Sequence, residues 1–573
     1  MTLSREETLH GWTWRSTWSA AGLAVFLLAS GCSNLLGLDD FHAAATGGDG
    51  GAGGGAASGG DAGTSSTAGV GGSAGSGNAS GAGGGAGAPE CSAGNQEDCY
   101  SGPSKTQNVG ICVGGTRVCG QDSRWGVCSG EQTPQVEDCG DSTQDENCDK
   151  FECGIWGLVY SQGSGTPSAV DVADDGTVYI AGDFAGGLQI GGQTKPALDA
   201  HNAYIASLKP DGTVNWVYTV GSGTFCVVWG IVGAADGELY AVLTTDEAVD
   251  YGDGVRPAGT TLLRLANGAV VSSLSLGVGY APGLRVRGGH LYLAGTFNGS
   301  IDWGTGSKSS EGDDIVLAKL GLDLSVGQDG WVKTFGSAGD DGGLALDVDS
   351  TGNVYLGGGM GGQIDFGGGP EFFSSQQDAF LVKLGPSGDY LGAITKSGVG
   401  GTEAVWSVGV DDTGAVVAVG IHDKDLNVKG KTLPATGQNS LFVIRWAWDG
   451  TGFSERWGVG FGDTTAVGFG RTRLDAAGRP LVAATSVASV TLGQEVLPAV
   501  PDGLPFVARF DDSGNHIWHR SFGTSTGGLA AGVAQSPQDE VYVLGITNSP
   551  TLDIGTGPIT AGQGKSFLLK LGK

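Results

Sequence analysis

Residues 154–573 predict an all-β fold, a seven-bladed β-propeller of four-stranded blades. Three observations carry that expectation: a short strand motif that recurs seven times, a second motif that follows it in register, and a last repeat that lacks one strand. A fixed period of this length marks a repeat architecture, and four strands per unit is the content of one propeller blade.

The recurring strand is VYIAG at 178–182, then LYAVL at 239–243, LYLAG at 291–295, VYLGG at 354–358, VVAVG at 416–420, LVAAT at 481–485 and VYVLG at 541–545. The second motif follows each copy, as in Asp250-Tyr251-Gly252, Asp302-Trp303-Gly304 and Asp365-Phe366-Gly367. An apolar third strand comes next, at 204–208 or 380–384, and then a turn and a Trp strand such as Pro210-Asp211-Gly212-Thr213-Val214-Asn215-Trp216. Before each VYIAG-type strand runs another, joined through Asp- and Gly-rich turns such as Asp174-Asp175-Gly176, which supply turn chemistry between β-branched runs.

The seventh unit ends after its third strand. Residues 155–160 (IWGLVY) precede the first unit and resemble 215–220 (NWVYTV). They are expected to supply the fourth strand of blade 7, which closes the ring and removes an exposed sheet edge. In residues 347–358 (DVDSTGNVYLGG) the unit resembles the bacterial seven-bladed β-propeller repeat family. That resemblance covers residues 154–573 and implies a fold rather than a chemistry.

Ahead of the propeller three other segments are expected. Residues 1–31 place Arg5 and Arg15 before an apolar run at 20–29 that is too short to span a bilayer. Leu28-Ala29-Ser30-Gly31-Cys32 resembles the lipobox of bacterial lipoprotein precursors, which implies cleavage before Cys32 and acylation of its thiol. Ala29 stands where that motif prefers Leu. Ser33 after the cysteine, rather than Asp, implies the outer membrane, so the chain is expected to be lipid-anchored in the cell envelope, facing periplasm or exterior. Residues 32–89 are almost wholly Gly, Ala and Ser from 43 onward and should form a disordered tether. Residues 71–75 (GGSAG) match a hydrolase nucleophile pattern, but they lie in the tether without its strand-turn-helix context.

Residues 90–153 hold Cys91, Cys99, Cys112, Cys119, Cys128, Cys139, Cys148 and Cys153 among few large apolar residues. An even, crowded set in an exported chain predicts a disulfide framework, with 105 connectivities open; no C-x-x-C pair supports zinc. The wording around Cys99, Cys112 and Cys128 resembles a cysteine-rich segment common in myxobacterial surface lipoproteins. Asp145-Glu146-Asn147-Cys148-Asp149 is similar to a metal-binding repeat of such proteins, which implies that Asp145, Asn147 and Asp149 hold a hard cation such as calcium. Lys150 replaces the glycine of that repeat.

The formal charge of −30 disfavours nucleic acid as a partner. No catalytic set is expected. The paired acids Asp174-Asp175, Asp340-Asp341, Asp411-Asp412 and Asp511-Asp512 mostly precede glycines and read as turn formers, and the Asp-box of sialidases is absent. Cys226 reads as a buried small apolar residue. His516 and His519, three apart on an expected strand, are placed on opposite faces and so should not share an ion. The expected function is a non-catalytic display module that binds a protein or polysaccharide. A structural envelope component, or an extracellular lyase or glycosidase, is the alternative.

Overall fold

A computed structural model describes residues 91–571, apart from 103–105, 136–147, 149–155 and the short segments 235–236, 278, 372, 374–375, 399, 437–438, 464–470, 476, 524–526, 554–557 and 563. Cys32, the tether, Cys139, Cys153 and the acidic run Asp145, Asn147 and Asp149 lie outside the described residues. The chain divides into two units, one holding the cysteine-rich module and the other the propeller.

In the module, strand Gln96–Cys99 pairs antiparallel with Gly115–Val118. Disulfides join Cys91 to Cys119, Cys99 to Cys128 and Cys112 to Cys148. Among the described residues Cys112, Cys119 and Cys148 are its buried hydrophobic ones, so the cross-links stand where a larger domain would have an apolar core.

The second unit is a propeller of seven four-stranded antiparallel sheets. Blade 1 shows the pattern, with strands Pro167–Val172, Val178–Phe184, His201–Leu208 and Val214–Ser222 in spatial order. The second and third strands are almost wholly buried, because each blade is covered on both faces by its neighbours. The VYIAG motif is the second strand. The D-x-G motif after it forms the turn of a small accessory hairpin: Asp250, Asp302 and Asp365 each accept the N–H of the glycine two residues on, at 2.7–2.9 Å.

The turns between first and second strands are built the same way. Asp349 Oδ1 accepts the N–H groups of Thr351 and Asn353 at 3.0 and 2.9 Å, Asp411 and Asp475 repeat this, and Asp511 does the same in the turn between the third and fourth strands of blade 6. Turn chemistry therefore accounts for the acids at 411 and 511. Asp341 differs, being fully buried and accepting the N–H groups of Ser337 and Gly361.

The Trp strands lock each blade to the next. Trp156, Trp216 and Trp457 lie over Gly212, Gly268 and Gly514, the turn glycines between third and fourth strands of the following blade, where an added Cβ would come within 2.7–3.0 Å of the indole. These glycines have φ of +83°, +79° and +84°, so both space and backbone demand glycine. The indole N–H groups of Trp156, Trp331 and Trp457 donate to carbonyls of those turns, at Pro210, Pro386 and Asp512.

Closure follows the expected route. Trp156–Tyr160 pairs with Lys565–Leu571, Trp156 opposite Lys570 and Tyr160 opposite Ser566, as the outer strand of blade 7. Tyr160 then reaches blade 1, where its hydroxyl meets that of Tyr204 at 2.7 Å. Deleting residues 154–161 exposes a sheet edge and removes the full burial of Tyr160, roughly 1.5–3 kcal/mol, together with the partial burial of Trp156 and Leu158. Thermal unfolding of this deletion should show a melting temperature many degrees lower or aggregation, and an unchanged melting temperature would rule out closure by this strand.

Candidate functional site

The first strands of neighbouring blades contact one another in a ring around a central channel. Six of the seven carry one extra residue at the same place. The register slips at Ser168, Trp229, Ala281–Pro282, Leu344, Trp406 and Ala531, in blades 1, 2, 3, 4, 5 and 7. In blade 6 the described first strand begins beyond this point. A bulge re-aims a side chain that the alternation of a regular strand would place elsewhere. Here Ser168, Trp229, Pro282, Leu344, Trp406 and Ala531 all line the channel.

The closing glycine of the VYIAG motif makes room for the bulge. A Cβ at Gly182, Gly295, Gly358, Gly420 or Gly545 would lie 1.8–2.4 Å from a carbonyl oxygen of the bulged strand, an impossible contact. Blades 2 and 6 lack this glycine, the motif ending in Leu243 and Thr485.

At the mouth where the first strands begin, Tyr280, Leu344, Ala404 and Trp406 form an apolar cluster, with Trp229 packed against it. The rings of Trp229 and Tyr280 are 5.3 Å apart. Trp229 is oriented by its Nε1–H, which donates to Thr244 Oγ1 at 2.7 Å. Three residues further along the strands lies a charged layer. Arg285 Nε donates to Asp347 Oδ1 at 2.8 Å, and Arg473 stands 3.9 Å from Asp171. Asp171 and Asp347 also accept the backbone N–H of Gly233 and Val410 in the next blade, at 2.8 and 2.9 Å. Burial raises the Asp171 carboxyl against the opposing pull of Arg473 and Arg285. Both carboxylates are engaged on two sides, so the layer stitches the inner ring together. The cavity has a volume of about 70 Å³, room for a few waters.

Several carboxyls are buried near the same end of the strands. Burial pushes Asp183, Asp314 and Asp341 up to about 6. Glu403, at 0% exposure, is pushed to about 8, chiefly by burial and against the pull of the Gly398 backbone N–H. In an unfolded chain the same carboxyl titrates near its ordinary 4.5, so between 4.5 and 8 the unfolded chain loses this proton while the folded one keeps it. The stability it lends is full below about pH 4.5 and is lost as pH rises towards 8. Melting curves from pH 5 to 8.5 should therefore fall more steeply for the natural protein than for Glu403→Gln, and parallel curves would remove this carboxyl as the cause.

Other candidates resolve as follows. Cys226 is buried as expected, and burial pushes its thiol up to about 12. His422 is fully buried with Nδ1 2.7 Å from the Lys424 carbonyl. The expected separation of His516 and His519 is wrong: their rings meet, with His519 Nδ1 3.0 Å from His516 Nε2. Another bulge explains it, since Phe510 pairs with His516 and Arg509 with Trp518, leaving Ile517 as the extra residue that shifts the alternation by one. Among the described residues no group of three or more His, Cys, Asp or Glu side chains is arranged to hold a metal.

The sequence reading missed the channel residues. A signal was present: Ser168, Trp229, Leu344, Trp406 and Ala531 each stand fourteen positions before the last residue of the VYIAG-type motif.

No protein-family model matches the chain, and no curated protein does. Among solved structures, virginiamycin B lyase from Staphylococcus aureus is similar at 12% identity over 73% of this chain and 99% of its own, with a TM-score of 0.33. The WD40 domain of Neurospora crassa Pan2 matches at 8% identity over 71% and 89%, with a TM-score of 0.36. The polysaccharide lyase Uly1 matches at 12% identity over 71% and 89%, with a TM-score of 0.35. Likeness at this level carries no argument about activity.

Proposed function

We propose that the chain is a cell-envelope lipoprotein, anchored to the membrane through Cys32, that displays its propeller as a non-catalytic module for binding a polysaccharide or protein ligand. The observation that carries this reading is the pair of bulged tryptophans, Trp229 and Trp406, gathered with Tyr280 at the mouth of a channel of only about 70 Å³. Pockets that bury a small molecule are commonly of about 300–1,000 Å³. A ligand would therefore rest on this mouth rather than enter it.

Aromatic rings held in place, Trp229 by its hydrogen bond to Thr244, suit a sugar ring, whose apolar face stacks on them. The three disulfides favour an oxidising compartment, in keeping with export. The Gly, Ala and Ser tether would hold the ring away from the membrane.

A glycan array and pull-down with the full chain test the reading. Binding by the natural protein, lost at least about tenfold in Trp229→Ala and Trp406→Ala variants that melt as a folded propeller, is the expected result. A tenfold loss corresponds to about 1.4 kcal/mol of contact. A ligand bound equally well by both variants would move the site away from this mouth.

A further inference from the structure

We propose that His516 and His519 form a binding site for a divalent transition metal of tetragonal preference, copper(II) first, on the outer strand of blade 6. The two residues lie on strand His516–Ser521, and the bulge at Ile517 brings them to one face. Their facing nitrogens, Nε2 of His516 and Nδ1 of His519, are 3.0 Å apart. With metal–nitrogen bonds of about 2.0–2.1 Å, that spacing subtends roughly a right angle at an ion, whereas a tetrahedral ion would hold the nitrogens ~3.4 Å apart. Cis positions of a square or tetragonal field suit copper(II) and nickel(II) better than zinc.

The surroundings orient the pair. Glu495, on the hairpin of Val490–Leu492 and Glu495–Leu497, places Oε2 3.7 Å from Nε2 of His519. A carboxylate there favours a proton on Nε2 and leaves the Nδ1 lone pair towards His516, the arrangement that supports a ligating imidazole. His516 packs edge-on to Phe510 with ring centres 6.1 Å apart, and Gly493 gives it space: a Cβ at Gly493 would lie 2.8 Å from His516 Nδ1. The His519 side chain is only 11% exposed, while His516 is half-buried on the outer strand, so an ion would be reached from the His516 side. When the ion enters, it takes the place of the proton shared between the two nitrogens, that proton moves to Nδ1 of His516, and both rings ligate as neutral imidazoles.

The test is titration of the untagged full chain with copper(II), nickel(II), zinc(II) and calcium(II), each alone, followed by calorimetry and by electron paramagnetic resonance of the copper form. The expected result is one saturable site, tightest for copper, silent to calcium, with hyperfine coupling from two nitrogens. His516→Gln and His519→Gln should each abolish the two-nitrogen signal, and Glu495→Gln should weaken binding about tenfold. Thermal unfolding without metal verifies that each variant is folded. A copper site of undiminished affinity and unaltered spectrum in the His516→Gln, His519→Gln double variant, or no saturable binding at all, overturns the proposal.

Discussion

One extra residue in the inner strand, set in five blades against a glycine of the neighbouring strand, is the constraint on which this propeller turns. The bulge drives a backbone carbonyl towards the second strand, and at Gly182, Gly295, Gly358, Gly420 and Gly545 no side chain fits beneath it. In exchange the strand can turn a residue out of the blade interface and into the channel. The second and third strands stay mostly apolar and buried, while the bulged position varies freely through Ser, Trp, Pro, Leu, Trp and Ala. A scaffold that repeats thereby carries a mouth that does not.

Contacts of two kinds hold the blades in their ring. Around the outside, indoles of one blade lie over the turn glycines of the next, and Trp156 continues that series across the point where the two ends of the propeller meet. Around the inside, Asp171 and Asp347 accept N–H groups from the following blade while Arg285 and Arg473 supply the counter-charge. Buried ion pairs of this kind add little net stability, but removing one partner leaves a costly unpaired charge. They therefore specify the register of adjacent inner strands more than they stabilise them.

Blade number, strand content and closure were legible in the sequence because they depend on local periodicity: the VYIAG copies, the Asp-Gly turns and the orphan strand at Trp156 each announce themselves within a few residues. The reasons behind the motifs were not. That Gly420 faces a carbonyl of the adjacent strand, or that Trp216 covers a glycine in another blade, depends on chain segments far apart. Bulges caused the one outright misreading, since strict alternation separates His516 from His519 and a single added residue at 517 reunites them. The same device hid Trp229 and Trp406, whose place at the channel follows only from the register. Asp171 and Arg473 were passed over because a charge on an inner strand has meaning only beside its partner across the channel.

The most direct test of this account is equilibrium denaturation of Gly420→Ala. The added Cβ would lie 2.2 Å from the Ala404 carbonyl and 2.4 Å from the Phe442 ring, so blade 5 must give up its bulge or strain to keep it. The account predicts a loss of roughly 2–3 kcal/mol in unfolding free energy, typical of overpacking in a tight core. A variant as stable as the natural protein would contradict it, for the glycine would then have no carbonyl to accommodate.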